Sequence, residues 1–396
     1  MRYVLINHVQ VNFHSIFLLT LNKYQPPLSM EILEKDERLR SLTQALEKNA
    51  TVLNNWEALL NHILKRYYHD SRFQMSHEQR FPSELRSTVI NLLDTTYESM
   101  LEIFPYLENY VIEYANFKLE QNEIGQFHKV YQTYMKAMNN RSLLLWVMYL
   151  KIIVKRQDEF KLSTKHILHM FEKAELYIGK HFYSQPFWNL YLIFLKKHYT
   201  SNPQIYLNKL RQLIKIPIYD FAYNFKIWFK ELASVSDLKQ MKFFCDMKKM
   251  NRIIPKLLKP REKLQYIKFK VDRVYKKLYK KIEAKVMVLY NSFELPLTIF
   301  KQSNQYYTPP TIPLNPSFVQ TWIQYINHAM NSKFGKKKVA KDKYYIMLIF
   351  QRALLSSSLA HNKIIWSLYI KWLSSIGDKK SAYEMYKQSQ KFVINK

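Results

Sequence analysis

Apolar residues recur along this chain at the three- and four-residue spacing of an α-helix, and an aromatic signature marks each recurrence. Trp146, Tyr149, Leu150 and Val154 fall on one helical face, as do Trp188, Tyr191, Leu192 and Leu195. The same Trp-x-x-Tyr punctuation returns in WIQYI (Trp322, Tyr325) and in WSLYI (Trp366, Tyr369). A weaker copy, VIEYANF, puts Val111, Tyr114 and Phe117 in the equivalent places. Each stripe needs a second helix to cover it. FHKVYQTYMKAM offers Phe127, Val130, Tyr131 and Tyr134; YIMLIFQRALL offers Ile346, Ile349, Phe350, Ala353 and Leu354, with the small Ala353 admitting close approach. The pattern predicts paired helices.

The pairs repeat. Tryptophans stand at 56, 146, 188, 228, 322, 366 and 372, so the intervals 146–188, 188–228 and 322–366 are 42, 40 and 44 residues. The wider gaps, from 56 to 146 and from 228 to 322, are 90 and 94 residues, each near twice that period. This is the spacing of a helical solenoid, in which each unit buries its apolar face on its neighbour. Trp56, Trp146, Tyr149, Trp188, Tyr191, Trp322, Tyr325, Trp366 and Tyr369 are therefore expected in the repeat core, and no cofactor is expected among them.

Composition agrees with an all-α chain. Only four glycines occur in 396 residues, at 125, 179, 335 and 377, too few for turn-rich β architecture or glycine-rich phosphate loops. Cys245 is the single cysteine, which excludes a disulfide framework and a multi-cysteine zinc site and fits a reducing compartment. The longest apolar runs, SIFLLTL and LLLWVMYL, fall short of the roughly 20 residues that a bilayer requires. Residues 1–29 have no clear signal-peptide cleavage site and read as a poorly ordered extension; ordered structure is expected to begin near Met30. Residues 30–245 then form the first repeat array, 246–292 a basic linker, and 293–396 a second array.

Charge singles out the linker. The chain carries 61 Lys and Arg against 31 Asp and Glu, a formal charge of +30, which suits nucleic acid or an acidic partner. Within 247–285 there are 15 basic residues against Glu262, Asp272 and Glu283. Pro255 and Pro260 interrupt its start, after which no proline appears until Pro296, so Arg261 to about Glu294 reads as one long helix. Leu264, Ile267, Val271, Val274, Leu278 and Ile282 give it an apolar stripe, with Lys276, Lys277, Lys280 and Lys281 beside it. These lysines are either a solvated face or an electrostatic surface for RNA phosphates or an acidic partner. A second cluster, FGKKKVAKDK, puts Lys336, Lys337 and Lys338 in an exposed loop or a nuclear-import signal.

No catalytic constellation emerges, and the chain is read as non-enzymatic. His166, His169 and Glu172 share a helical face but lack a sharp zinc motif such as HExxH, and read as polar residues of a repeat helix. Ser356–Ser358 mark a helix end. Nothing beside Cys245 in the sequence obviously lowers its pKa.

The residues carry a family resemblance. Trp-x-x-Tyr on one helix with FQRALL on the next resembles half-a-tetratricopeptide (HAT) repeats, found mainly in RNA-processing assemblies. FPYLENYVIEYANF, RSLLLWVMYLK and AELYIGKHFYSQPFWNLYL are similar to the amino-terminal repeats of the fungal U1 snRNP splicing factors of the pre-mRNA-processing factor 39/42 family, nearer to its factor-42 branch. LRQLIKIPIYDF resembles their helix-then-Pro junction. The passage from Phe293-Glu294 through QYYTPPTIPLNPSFVQTWIQYI resembles their entry into the second array. The resemblance covers roughly residues 50–390. Relatives continue into further repeats through which two such proteins clasp, whereas this sequence stops at KQSQKFVINK, so its second array is expected to be truncated.

The resemblance implies a nuclear scaffold of U1 snRNP in 5′ splice-site recognition. Its implied partners are a factor-39 paralogue, as a heterodimer partner, and the zinc-finger C subunit, with contact to U1 snRNA or pre-mRNA. No membrane and no small-molecule substrate are expected. Two alternatives stand beside it: a HAT scaffold for mRNA 3′-end cleavage or pre-ribosome assembly, and direct RNA binding through the basic linker. The Phe293-to-Ile326 passage favours the first reading, since a generic HAT array needs no such segment. The lack of an RNP-type sheet motif or zinc knuckle argues against sequence-specific RNA reading.

Overall fold

Side-chain caps start many of the helices. Asp36 accepts from the amide of Leu39 (3.0 Å), Ser142 from Leu145 (3.0 Å), Ser163 from His166 (3.2 Å) and Asn362 from Ile364 (2.8 Å). Each cap satisfies an amide that the first turn leaves without an intrahelical acceptor. The computed structural model describes residues 36–66, 83–247, 259–300, 314–331 and 339–392. Among them are 16 α-helices and no strand. The expected extension at 1–29 and the 336–338 lysine cluster lie outside the described residues.

Two compact units divide between Ala137 and Met138. The first holds α1 (Glu37–Lys48), α2 (Leu53–Arg66), α3 (Ser83–Ile103), α4 (Glu108–Glu120) and α5 (Ile124–Ala137), each packed on the next. The second begins with α6 (Leu143–Lys155), α7 (Thr164–Ile178), α8 (Gln185–His198), α9 (Pro203–Leu213) and α10 (Phe221–Ser234). It continues through the long α11 (Pro260–Leu289), a π-helical turn at Tyr290–Glu294 and the short α12 (Leu295–Ile299). It closes with α13 (Pro316–Asn331), α14 (Val339–Leu354), α15 (Lys363–Ser375) and α16 (Lys379–Phe392). The fold is an all-α solenoid of helix pairs.

The nine aromatic residues expected in the repeat core are all buried, Trp188, Tyr191 and Tyr369 completely. Their roles differ. The indole N–H of Trp56 donates to the Ala50 carbonyl (2.8 Å), that of Trp146 to Asn140 (2.8 Å) and that of Trp366 to Ala360 (2.7 Å), in every case six residues back. The tryptophan thus fills the core and satisfies a carbonyl of the turn leading into its own helix. Trp188 does the same with Gly179 at 2.9 Å.

The tyrosine three places on stacks on the element that precedes its helix. Tyr191 lies over Phe171 of α7 (4.7 Å, 6°), Tyr369 over Phe350 of α14 (4.4 Å, 6°), and Tyr114 over Tyr97 of α3 (5.1 Å, 17°). In α8 and α15 the Trp-x-x-Tyr spacing therefore joins the helix to its predecessor, as the Val-x-x-Tyr copy does in α4, the nearest-neighbour coupling of a repeat array.

Three details depart from the sequence pattern. Ile153 is buried on α6 where Val154 is only half-buried. Val274, expected on the buried stripe of the long helix, is 62% exposed, because Tyr275 one place on takes the inward position against Trp228 (4.5 Å). The long helix does not end near Glu294. It passes through the π turn, where the Leu295 amide bonds to the Tyr290 carbonyl, and runs on to Ile299. The widened turn accommodates Pro296, which has no amide to donate.

Candidate functional site: the face of the long helix and its anchor

α11 is amphipathic. Ile267, Val271, Ile282, Val286 and Leu289 are buried. Tyr279 packs against Phe221 and Phe225 of α10, each at 5.2 Å, and Lys268 Nζ donates to the Ala233 carbonyl (2.8 Å). Tyr275 faces Trp228 and Tyr279 faces Phe221, so the two helices run antiparallel. Leu264 and Leu278 lie at the edge of the buried stripe, half-exposed.

Lys276, Lys277, Lys280 and Lys281 stand together on two turns of this helix, all exposed. Lys276 pairs with Asp272 one turn back (2.8 Å), a contact worth little at so open a site. The repeat-core aromatics are buried within their own helix pairs and contribute nothing to this exposed face.

The far end of the long helix is anchored by a buried ion pair. Arg352 of α14 meets Glu294 in a fork, Nη1 to Oε1 at 2.8 Å and Nη2 to Oε2 at 2.9 Å. Both side chains are under 10% exposed, at 9% and 3%. The Tyr325 hydroxyl donates to Glu294 Oε1 (3.0 Å), while Phe293 stacks on the Tyr325 ring (4.6 Å, 9°). The Arg352 guanidinium also lies over Trp322 and Tyr325, both at 5.6 Å, and over Tyr183 at 6.0 Å.

Burial opposes the charge on Arg352, but Glu294 more than offsets this and raises its pKa. His181 nearby is held neutral by burial and by the Arg352 charge, and its Nδ1 accepts from the Tyr183 amide (3.1 Å). Such a pair, removed from water and fully bonded, fixes geometry. Phe293-Glu294 was visible in the sequence as a junction; Arg352 lay inside the repeat motif FQRALL, but nothing in the sequence marked it as the partner of Glu294.

A second joint lies at the turn before α6. Asn139 and Asn140 adopt left-handed backbone conformations (φ 53° and 58°), and the Asn139 amide donates to Gln351 (2.8 Å) and Gln388 (3.2 Å) of α14 and α16. Arg141 is buried between the rings of Tyr177 (5.4 Å) and Tyr344 (5.9 Å), with Nη1 on the Asn139 carbonyl (2.7 Å). The last helices thus return to the turn that opens this unit.

Elsewhere the candidate chemistry is dispersed. His166, His169 and Glu172 lie exposed on α7, with His169 Nδ1 4.0 Å from Glu172. Among the described residues no group of His, Cys, Asp and Glu is placed to hold a metal, and no helix is long and apolar enough to cross a membrane. Burial pushes the Cys245 thiol up, away from a reactive thiolate.

Comparison with known proteins matches residues 40–230 to the family described as "PRP39 N-terminal HAT repeat". The chain is also similar to the U1 small nuclear ribonucleoprotein component PRP42 of Saccharomyces cerevisiae, 31% identical over 369 residues, which is 91% of this chain. It spans 62% of that relative's length. With a solenoid of paired helices, Trp-x-x-Tyr stacking and this match along nearly the whole sequence, the chain is similar to the PRP39/PRP42 family of HAT-repeat proteins.

Proposed function

We propose that this protein is a non-catalytic scaffold subunit of U1 snRNP in nuclear pre-mRNA splicing, organising protein partners for recognition of the 5′ splice site. The observation that carries the reading is the 31% identity, over 91% of the chain, to a protein that is itself a U1 snRNP component. The all-helical architecture supports it, since a solenoid offers extended surface to several partners at once. A factor-39 paralogue and the zinc-finger C subunit are the expected partners.

In this reading the lysines of α11 contact RNA phosphates or an acidic partner, adding affinity without base selection. Affinity purification from the native organism tests it: U1 snRNA and U1 proteins are expected to co-purify. Recovery of 3′-end cleavage factors or pre-ribosomal RNA instead would overturn it. RNA held directly by α11 should be released steeply between low and physiological salt.

A further inference from the structure

The outer side of α11 is not simply basic. Phe269, Val274, Met287 and Val288 stand there at 57%, 62%, 48% and 50% exposure, unusually open for large apolar side chains on a packed helix. On the helical lattice Phe269, Arg273, Lys276, Lys280 and Met287 follow one line, with Lys277, Lys281 and Val288 beside it. At 1.5 Å per residue the line from Phe269 to Met287 is about 27 Å long. It is apolar at both ends and mainly cationic between them, with Glu283 the carboxylate nearest the line. Arg273 lies over the Phe269 ring at 5.7 Å, which brings charge and apolar surface into direct contact. Lys276 is engaged by Asp272, whereas Lys277, Lys280 and Lys281 have no carboxylate partner among the described residues.

A phosphate chain would satisfy the lysines but offers nothing to Met287 and Val288. Nucleobases stack on open aromatic faces, and Phe269, the one aromatic ring on this line, already has Arg273 over it. Apolar ends with a charged centre, repeated at three- and four-residue steps, suit a second helix laid alongside. Charge complementarity requires that helix to be acidic. We propose that the outer face of α11 docks an acidic amphipathic helix of a partner protein. Its apolar residues would sit on Phe269 at one end and on Met287 and Val288 at the other, with carboxylates between them against Arg273, Lys277, Lys280 and Lys281. The inference rests on the reading of α11 as an interaction surface and names the class of partner.

The test uses the full chain and two fluorescent probes. One is a synthetic helical peptide of about 20 residues with Leu along one seam and Glu flanking it, matched to the α11 line. The other is a uridylate oligomer of about 12 nucleotides. Two variants are compared with the unaltered chain: Phe269→Ser with Met287→Ser, and Lys277→Glu with Lys280→Glu and Lys281→Glu. Circular dichroism and melting check that each variant folds, and Val288→Ser serves as a milder apolar variant. The peptide is expected to bind, and both multiple variants to weaken it about tenfold or more. If the peptide does not bind, or ignores the apolar variants, the proposal is overturned. Binding of the oligomer alone, sensitive only to the lysine variant, overturns it in favour of RNA and leaves α11 as the surface. If neither probe responds to the lysine variant, the reading of α11 as an interaction surface fails as well.

Discussion

The side-chain amide of Asn139 donates to Gln351 Oε1 at 2.8 Å, joining positions 212 residues apart in sequence. The same amide reaches Gln388 (3.2 Å), so one left-handed turn residue holds two helices of the last repeats. Asparagine suits the place because it tolerates a positive φ and carries a donor at the right reach. Replacing Asn139 with Gly should cost about 1–3 kcal/mol through the lost buried hydrogen bonds. Ala should cost about 1 kcal/mol more, because it adds backbone strain. Denaturant midpoints of the two variants measure the difference. Equal, near-zero shifts would show that the turn does not bear on the docking of the last helices.

The Arg352–Glu294 fork gives a sharper case. Arg352→Met leaves a buried carboxylate without its cation and should destabilise by about 3–5 kcal/mol. Changing Glu294→Met together with it removes the orphan charge, so the double variant should recover part of that loss. A double-mutant cycle read by thermal or chemical unfolding checks this. Strictly additive costs would mean that the two charges do not depend on each other.

Trp366 and Trp322 separate two functions of the repeat tryptophan. Trp366→Phe keeps a ring but strands the Ala360 carbonyl, at a cost of about 1–3 kcal/mol beyond the lost volume. Trp322 Nε1 has no hydrogen-bond partner among the described residues, so Trp322→Phe should lose only volume and its stacking on Arg352. The difference between the two variants in melting temperature isolates the indole N–H.

Asp378 predicts a pH dependence. A hydrogen bond from Lys343 (2.6 Å) holds its carboxyl down at about 2, and Asp378 also accepts from the Ser381 amide at the start of α16 (3.2 Å). Because the folded pKa lies below the unfolded one of about 3.9, its contribution is full above about pH 5 and declines as pH falls toward 2. Asp378→Asn should therefore lower the melting temperature at neutral pH, and the gap to the unaltered chain should shrink in acid. A gap independent of pH would remove Asp378 from the account.

Much of this protein was already determined by its linear sequence. The three- and four-residue spacing of Trp146, Tyr149 and Leu150, repeated near every 42 residues, dictates paired helices in a solenoid, because only that arrangement buries every such stripe. The density of lysine between Pro260 and Pro296 likewise marks an exposed helix face before any coordinates are known. Tertiary structure alone decided what pairs with what. Tyr369 meets Phe350, Arg352 meets Glu294, and Asn139 meets Gln351 through contacts that no local period encodes. The same holds for Val274. A helical wheel ranks it with the core, yet it faces outward, because the position of α10 selects Tyr275 and Tyr279 as the inward residues. Periodicity tells a helix that it must bury one side; only the neighbour that arrives determines which residues at the edge of that side are covered.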